Sequence, residues 1–79
     1  MATGPRAELM WLGQRIAHAR QQRDLTQADL SEAAGVNRVT LSKIERGLTD
    51  VGFVRLNKIA HALGTTPGAL LAEDADRSH

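Results

Sequence analysis

Three basic side chains, Arg38, Lys43 and Arg46, fall in one short segment together with Val39 and Thr40. An arginine guanidinium can donate two parallel hydrogen bonds to the O6 and N7 atoms of guanine, and a lysine can reach the same acceptors or a phosphate. An outward-facing valine can pack on the thymine methyl, which is the apolar feature of the major groove. The segment therefore carries the side chains needed to read base edges in duplex DNA.

Two short helices joined by a tight turn are predicted to present these residues. Thr26 can cap the first helix, with Asp29 three residues later where a capping box usually has Glu. Gly35 can adopt the left-handed backbone that ends this helix, and Asn37 is a favourable cap for the next. The apolar residues of the pair are spaced to face inward: Leu30, Ala33 and Ala34 in the first helix, Leu41 and Ile44 in the second.

Hydrophobic periodicity over the whole chain predicts an all-α protein with five helices. We expect them at residues 8–23, 27–34 and 38–46, followed by a fourth that ends at Gly64 and a short fifth capped by Thr66. The fourth helix is expected to place Phe53, Leu56, Ile59, Ala60 and Leu63 on one apolar face, with Thr49 or Asp50 as its cap. Residues 1–7 are expected to be flexible, residues 8–72 to form the domain, and residues 73–79 to be a polar tail.

The motifs T-Q, G-V-N-R, L-S-K-I-E-R-G and A-L-G occur in this order between Leu12 and Leu71. In these residues the chain resembles the Cro/lambda-repressor-like (XRE-type) helix-turn-helix proteins, including small restriction–modification controllers. The resemblance implies a compact five-helix bundle in which residues 38–46 form the recognition helix. It departs from the usual pattern at Val51 and Gly52, where relatives have Pro and a capping Ser.

The resemblance also implies roles for individual residues. Base contacts are expected from Arg38, Val39, Thr40 and Lys43, and phosphate contacts from Gln27, Asn37, Ser42 and Arg46. Arg20 and Glu45 stand where relatives have an ion pair that supports the recognition helix, and Gln27 where they have a bracing glutamine. Simpler interpretations stay open: exposed charges are often only solvated, Val39 could be a core residue, and capping alone would explain Asn37.

The composition of the chain limits which other functions it could have. The 79 residues are 42% hydrophobic, 3% aromatic and free of cysteine, which fits one small domain without disulfides or thiolate metal sites. The net charge of +1 divides into +3 for residues 1–72 and −2 for residues 73–79. The scattered histidines predict no metal site, no cofactor is expected, and no nucleophile–base pair indicates an enzyme. No segment is apolar enough to span a membrane, so we expect a cytoplasmic protein.

We therefore expect a DNA-binding repressor or autoregulatory controller. A homodimer would read a near-palindromic operator, because a single recognition helix covers few base pairs. The candidates for its interface are Leu70, Leu71 and part of the fourth helix. Two alternatives use protein partners: an antitoxin that also represses its own operon, and a bridging factor. Met10 and Trp11, part of an apolar run at the start of the first helix, are the candidate partner surface.

Overall fold

This computed structural model describes residues 4–72. Local helix signals and one shared apolar core organise this part of the chain. The helices are α1 (Pro5–Gln22), α2 (Gln27–Ala34), α3 (Arg38–Glu45), α4 (Phe53–Ala62) and α5 (Pro67–Leu71). The described residues form no strand. The predicted all-α, five-helix architecture is confirmed.

Helix α2 begins with the expected capping box. The Thr26 hydroxyl accepts a hydrogen bond from the Asp29 N–H at 2.9 Å, and the Asp29 carboxylate accepts one from the Thr26 N–H at 2.9 Å. The bond from the Thr26 backbone, followed by that from its side chain, lowers the pKa of Asp29 below the ordinary value of 3.8. Because the folded pKa is lowered, this contribution to stability is present above pH 3.8 and is lost as the pH falls through the folded pKa.

The first helix extends further towards the N-terminus than predicted. Helix α1 begins at Pro5, three residues before the predicted start at Glu8. Proline is favoured at the first helical position because its missing N–H would have no partner there. The expectations for residues 1–3 and 73–79 lie outside the described residues.

The predicted start of α4 was wrong. The helix begins at Phe53 after Gly52, which has a φ of 77° and provides no side-chain cap. Asp50 instead accepts a hydrogen bond from the Gly52 N–H at 3.3 Å, inside the loop. Phe53 was also expected on the apolar face, but its side chain is 74% exposed because Val51 fills the core at this end of α4.

The core lies where the inward faces of all five helices converge. Its completely or almost completely buried side chains are Ile16, Leu30, Leu41, Ile44 and Ile59. Helix α2 packs on α3 and α4, while α1 packs on α3 and α5. Since α1 and α2 both support α3, the orientation of α3 is determined by residues outside it. No helix among residues 4–72 is long and apolar enough to cross a membrane.

Gly13 allows α1 to approach the end of α3 closely. A Cβ atom added at Gly13 would lie 2.3 Å from the Ile44 carbonyl oxygen and 2.6 Å from that of Glu45. These atoms belong to the backbone, so they cannot move aside as a flexible side chain could. Any side chain at this position would push α3 away from α1.

We expect Gly13→Ala to lower the free energy of unfolding by about 2 kcal/mol, since the steric cost exceeds the gain in helix propensity. Urea denaturation followed by circular dichroism would measure the change. Gly68→Ala is the matched control, because its added Cβ would meet only the Thr66 hydroxyl at 4.0 Å. If both variants are equally stable, the close approach of α1 and α3 does not depend on glycine.

Candidate nucleic-acid interface

Asn37 starts the candidate recognition helix α3. Its side-chain oxygen accepts hydrogen bonds from the N–H groups of Val39 at 2.8 Å and Thr40 at 3.2 Å. These are two of the first-turn donors that the helix itself cannot pair. The turn before it is made by Gly35, whose φ of 68° is left-handed. The capping role of Asn37 is therefore present in the structure, whereas its phosphate contact stays a prediction.

An ion pair between α1 and α3 supports the candidate recognition helix from the inside. Arg20 Nε donates to Glu45 Oε2 at 2.8 Å, and Arg20 Nη2 donates to Glu45 Oε1 at 3.0 Å. The two side chains are only 12% and 4% exposed, so the pair is largely shielded from water. The remaining guanidinium nitrogen, Nη1, donates to the Leu25 carbonyl at 2.8 Å. Two parallel bonds fix the angle of α3 as well as its distance from α1.

Gln27 adds a third helix to this cluster. Its side-chain amide donates to Glu45 Oε1 at 2.9 Å, so the carboxylate receives hydrogen bonds from α1 and from α2. The glutamine thus braces α3 through the Glu45 side chain. Its expected phosphate contact stays a prediction, and in this conformation the first-turn backbone N–H groups of α2 are better placed for it than the engaged amide.

The outward face of α3 carries positive charges, while the one acidic residue of this helix lies on its inward face. Arg38, Lys43 and Arg46 are exposed, and Val39 is 63% exposed. Glu45, the acidic residue of α3, points inward to Arg20. Because Val39 is exposed, it is not a core residue, and the simpler interpretation of it fails. The face presents cations and one apolar side chain to the solvent.

The expected DNA contacts divide between two depressions on the surface. Gln27, Arg38, Val39, Ser42 and Arg46 line a shallow cleft of about 320 Å³ between the start of α2 and α3. Asn37 and Thr40 line a separate groove that continues to α4. The structure therefore brings five of the eight expected contact residues into one cleft. Lys43 is exposed on α3 beyond the residues that line either depression.

Arg15 and Gly13 are structural residues whose roles sequence reasoning missed. The Arg15 guanidinium donates to the carbonyls of Leu70 and, at 3.1 Å, of Ala72, and it lies 5.2 Å from the centre of the Trp11 ring. It thereby ties α5 to α1. No local pattern signals this contact, because the partners are 55 and 57 residues apart in the chain.

The candidate protein-contact residues are only partly available. Leu70 is buried in the core of its own chain, whereas Leu71 is 41% exposed. Met10 packs against Gly47, and Trp11 is half-buried beside Arg15. Met10 nevertheless keeps 42% of its surface exposed, and a partner surface at Met10 and Trp11 stays a prediction. No group of His, Asp and Glu side chains within residues 4–72 could hold a metal ion.

Comparison with known proteins confirms the resemblance drawn from the motifs. A helix-turn-helix family profile matches residues 16–70. The immunity repressor protein of Bacillus phage phi105 is 38% identical over 65 residues, which cover 82% of this chain and 45% of that protein. An uncharacterised helix-turn-helix regulator, y4wC of Sinorhizobium fredii, is 38% identical over 63 residues, covering 80% and 44%. The chain thus spans less than half the length of these curated relatives.

Solved structures share the fold over most of the chain. The restriction–modification controller protein C.AhdI from Aeromonas hydrophila superposes with a TM-score of 0.80 at 34% identity, covering 82% of this chain and 98% of that one. The DNA-binding domain of the P22 c2 repressor gives a TM-score of 0.75 at 33% identity, covering 80% and 83%. The similarity covers at least 80% of this chain in both cases, so it is not confined to one helix pair.

We expect Arg20→Leu to lower the free energy of unfolding by about 3 kcal/mol, because it leaves Glu45 shielded from water without its cationic partner. The double variant Arg20→Leu/Glu45→Leu should lose less than the sum of the single losses, with a coupling of about 1–3 kcal/mol. Chemical denaturation of the four proteins in the cycle provides the measurement. Strictly additive losses would show that the ion pair does not hold α1 and α3 together.

Proposed function

Because this chain belongs to the XRE-type helix-turn-helix family of DNA-binding regulators, we propose that it is a sequence-specific regulator of transcription. It acts as a homodimer, and residues 38–46 read each half of a near-palindromic operator. Residues 8–72 form the DNA-binding domain. The immunity repressor of phage phi105 and the controller C.AhdI support a repressing or autoregulatory role.

The observation that carries the proposal is the separation of charges on α3. Glu45 is turned inward and bound by Arg20, so the outward face keeps Arg38, Lys43 and Arg46 without an opposing acid. DNA binding needs this arrangement, since phosphates and guanine edges both attract cations and repel carboxylates. The same inward pairing removes the one residue of α3 that would weaken a contact with DNA.

Base reading is assigned to the exposed side chains nearest the start and middle of α3. Arg38 donates to guanine O6 and N7, Lys43 to a second purine, and Val39 packs on a thymine methyl. Thr40 is only partly exposed and contacts the base or phosphate at the edge of the site. Helices of this family enter the groove with their N-terminal residues towards the bases.

Phosphate contacts place the helix in the groove. Arg46 lies in the same cleft as Ser42 and Arg38, and its Nε interacts with the Ser42 carbonyl at 3.4 Å. The start of α2 at Gln27 contributes free backbone N–H groups beside this cleft, while Asn37 stands at the start of α3. These contacts supply affinity without sequence preference.

A homodimer follows from the small size of one reading surface. Two copies related by a two-fold axis place their recognition helices about 34 Å apart, one turn of duplex DNA, so the operator is near-palindromic. Occupancy then depends on the concentration of the protein through its own dimerisation. This is the behaviour needed for a controller of its own promoter.

Selection of bound duplexes from a random pool tests the proposal. We expect a near-palindromic consensus, and we expect Arg38→Ala to lose about 1–3 kcal/mol of binding free energy with relaxed preference at one base pair in each half-site. With roughly six phosphates neutralised, log affinity should fall against log salt with a slope of about −5.

Arg23→Ala is the matched control, because it removes the same charge from the exposed end of α1 and lies away from the α3 cleft. It should keep the consensus and change affinity only slightly. If Arg23→Ala and Arg38→Ala lose the same binding free energy, the protein is attracted to DNA only through non-specific charge. Absence of any consensus, with binding abolished at physiological salt, would contradict the proposed function.

A further inference from the structure

A groove of about 530 Å³ lies between α1 and α5. Four residues of α1 line it at spacings of four, three and four, so their side chains share one side of the helix: Trp11, Arg15, His18 and Gln22. Trp11 is half-buried there, and the Arg15 guanidinium lies 5.2 Å from the centre of its ring. The groove shares no lining residue with the cleft on α3, so it is a separate surface feature.

The groove faces away from α3. Gly13 approaches the backbone of α3 and Arg20 binds Glu45, and these two residues of α1 are seven positions apart, about two turns of a helix. Arg15 and Gln22 follow them by two positions, which is a rotation of about 200° around the helix axis. The two pairs therefore lie on opposite sides of α1. A segment bound in the groove does not touch α3.

The charges of the groove favour an acidic occupant. Arg15 and Arg23 line it, and none of its lining residues within 4–72 is acidic. Arg23 is exposed, and its Nη1 donates to the Ala19 carbonyl at 2.9 Å, which keeps the guanidinium beside the end of α1. The two arginines are eight residues apart, about 12 Å along the helix axis. An extended segment with several carboxylates can meet both cations.

The chain leaves α5 beside this groove. Arg15 donates to the carbonyls of Leu70 and, at 3.1 Å, of Ala72, whose backbone is extended. The sequence continues as E-D-A-D at residues 73–76, with three acidic side chains and no basic one. Four extended residues span at most about 14 Å, so this stretch is long enough to pass from Arg15 to Arg23.

We propose that residues 73–76, the acidic segment, bind along the groove between α1 and α5 with their carboxylates at Arg15 and Arg23. Because the segment is joined to α5, its effective concentration at the groove is millimolar, and an acidic peptide from another protein would have to displace it. The contact ties α5 to α1 and keeps three carboxylates on the side of α1 away from α3, where they do not repel DNA phosphates. It forms without DNA and therefore does not depend on the proposed function.

Fluorescence of Trp11, the one tryptophan of the chain, reports on the groove. The neutral triple variant is Glu73→Gln/Asp74→Asn/Asp76→Asn, which keeps the size of each side chain. We expect acrylamide, an uncharged quencher, to quench it with a Stern–Volmer constant about twice that of the wild type, since individually weak ion pairs no longer hold the segment in place. Salt at about 1 M, where the Debye length is about 3 Å, should raise the wild-type constant towards the same value.

The matched control removes three acidic charges elsewhere on the surface. It is the variant Asp24→Asn/Glu32→Gln/Asp50→Asn, whose substituted residues are exposed and line no part of this groove. After circular dichroism has shown that all proteins keep the same helix content, the control should keep the wild-type quenching constant. Equal constants for the wild type and the neutral triple variant would overturn the proposal, as would an equal rise in the control.

A spin label gives the position of the segment directly. The chain has no cysteine, so Ser78→Cys provides a single attachment site for a nitroxide. NMR broadening should be strongest at the Trp11 indole N–H and at the amides of His18 and Arg23, and it should weaken when the three carboxylates are neutralised in the same labelled protein. Broadening centred on α3 would overturn the proposal, because the segment would then cover the candidate DNA-reading surface.

A mixed sample separates contacts within one copy from contacts between copies. Spin-labelled protein without isotopes is mixed with isotope-labelled protein without the nitroxide. We expect no broadening at the Trp11 indole N–H in this sample, because each groove is occupied by the acidic segment of its own chain. Broadening as strong as in the singly labelled protein would assign the groove to the segment of a second copy and overturn the proposal.

Discussion

The Glu45 carboxylate and its three hydrogen bonds form the interaction on which the rest of the structure depends. Two donors come from Arg20 on α1 and one from Gln27 on α2, so one acidic residue of α3 joins three helices. Helix α3 has only eight residues and cannot be stable or oriented alone. Exchanging such a pair for apolar groups often costs little stability, so its value lies in geometry: a bidentate, shielded contact permits one angle between α1 and α3.

The same contact links packing to function through charge. Every cation on α3 faces solvent while its acid is bound inside, and this arrangement arises only when α3 is rotated as Arg20 and Gln27 hold it. Gly13 provides the complementary constraint, because the backbone of α3 lies too close to α1 for any side chain there. An attractive contact and a steric one therefore fix the orientation of the same helix, so contacts within the chain hold the proposed DNA-reading surface in place. A surface that is held in place loses little conformational entropy when it docks.

Interactions between residues that are close in the chain could be predicted from the sequence, whereas most interactions between distant residues could not. Caps act over three residues, so the Thr26 capping box and the Asn37 cap could be predicted, and the apolar spacing indicated the burial of Leu41 and Ile44. The start of α4 could not, because Gly52 replaces the usual cap and the buried Val51 leaves Phe53 in solvent. Gly13 and Arg15 act on residues distant in the chain and leave no local pattern. The Arg20–Glu45 pair could be expected only by resemblance to relatives, since no spacing rule joins two helices that are not adjacent in the chain.

The most direct test of the account is a titration of the isotopically labelled protein with its selected operator, followed by amide and side-chain NMR shifts. The account predicts the largest changes at Arg38, Val39 and Lys43 and at the start of α2, with small changes along the exposed side of α1. The Arg20 side-chain signals should stay where they are, because a preformed ion pair does not rearrange on binding. Changes centred on Trp11 and α1, with α3 unaffected, would contradict the claim that α3 is the reading surface.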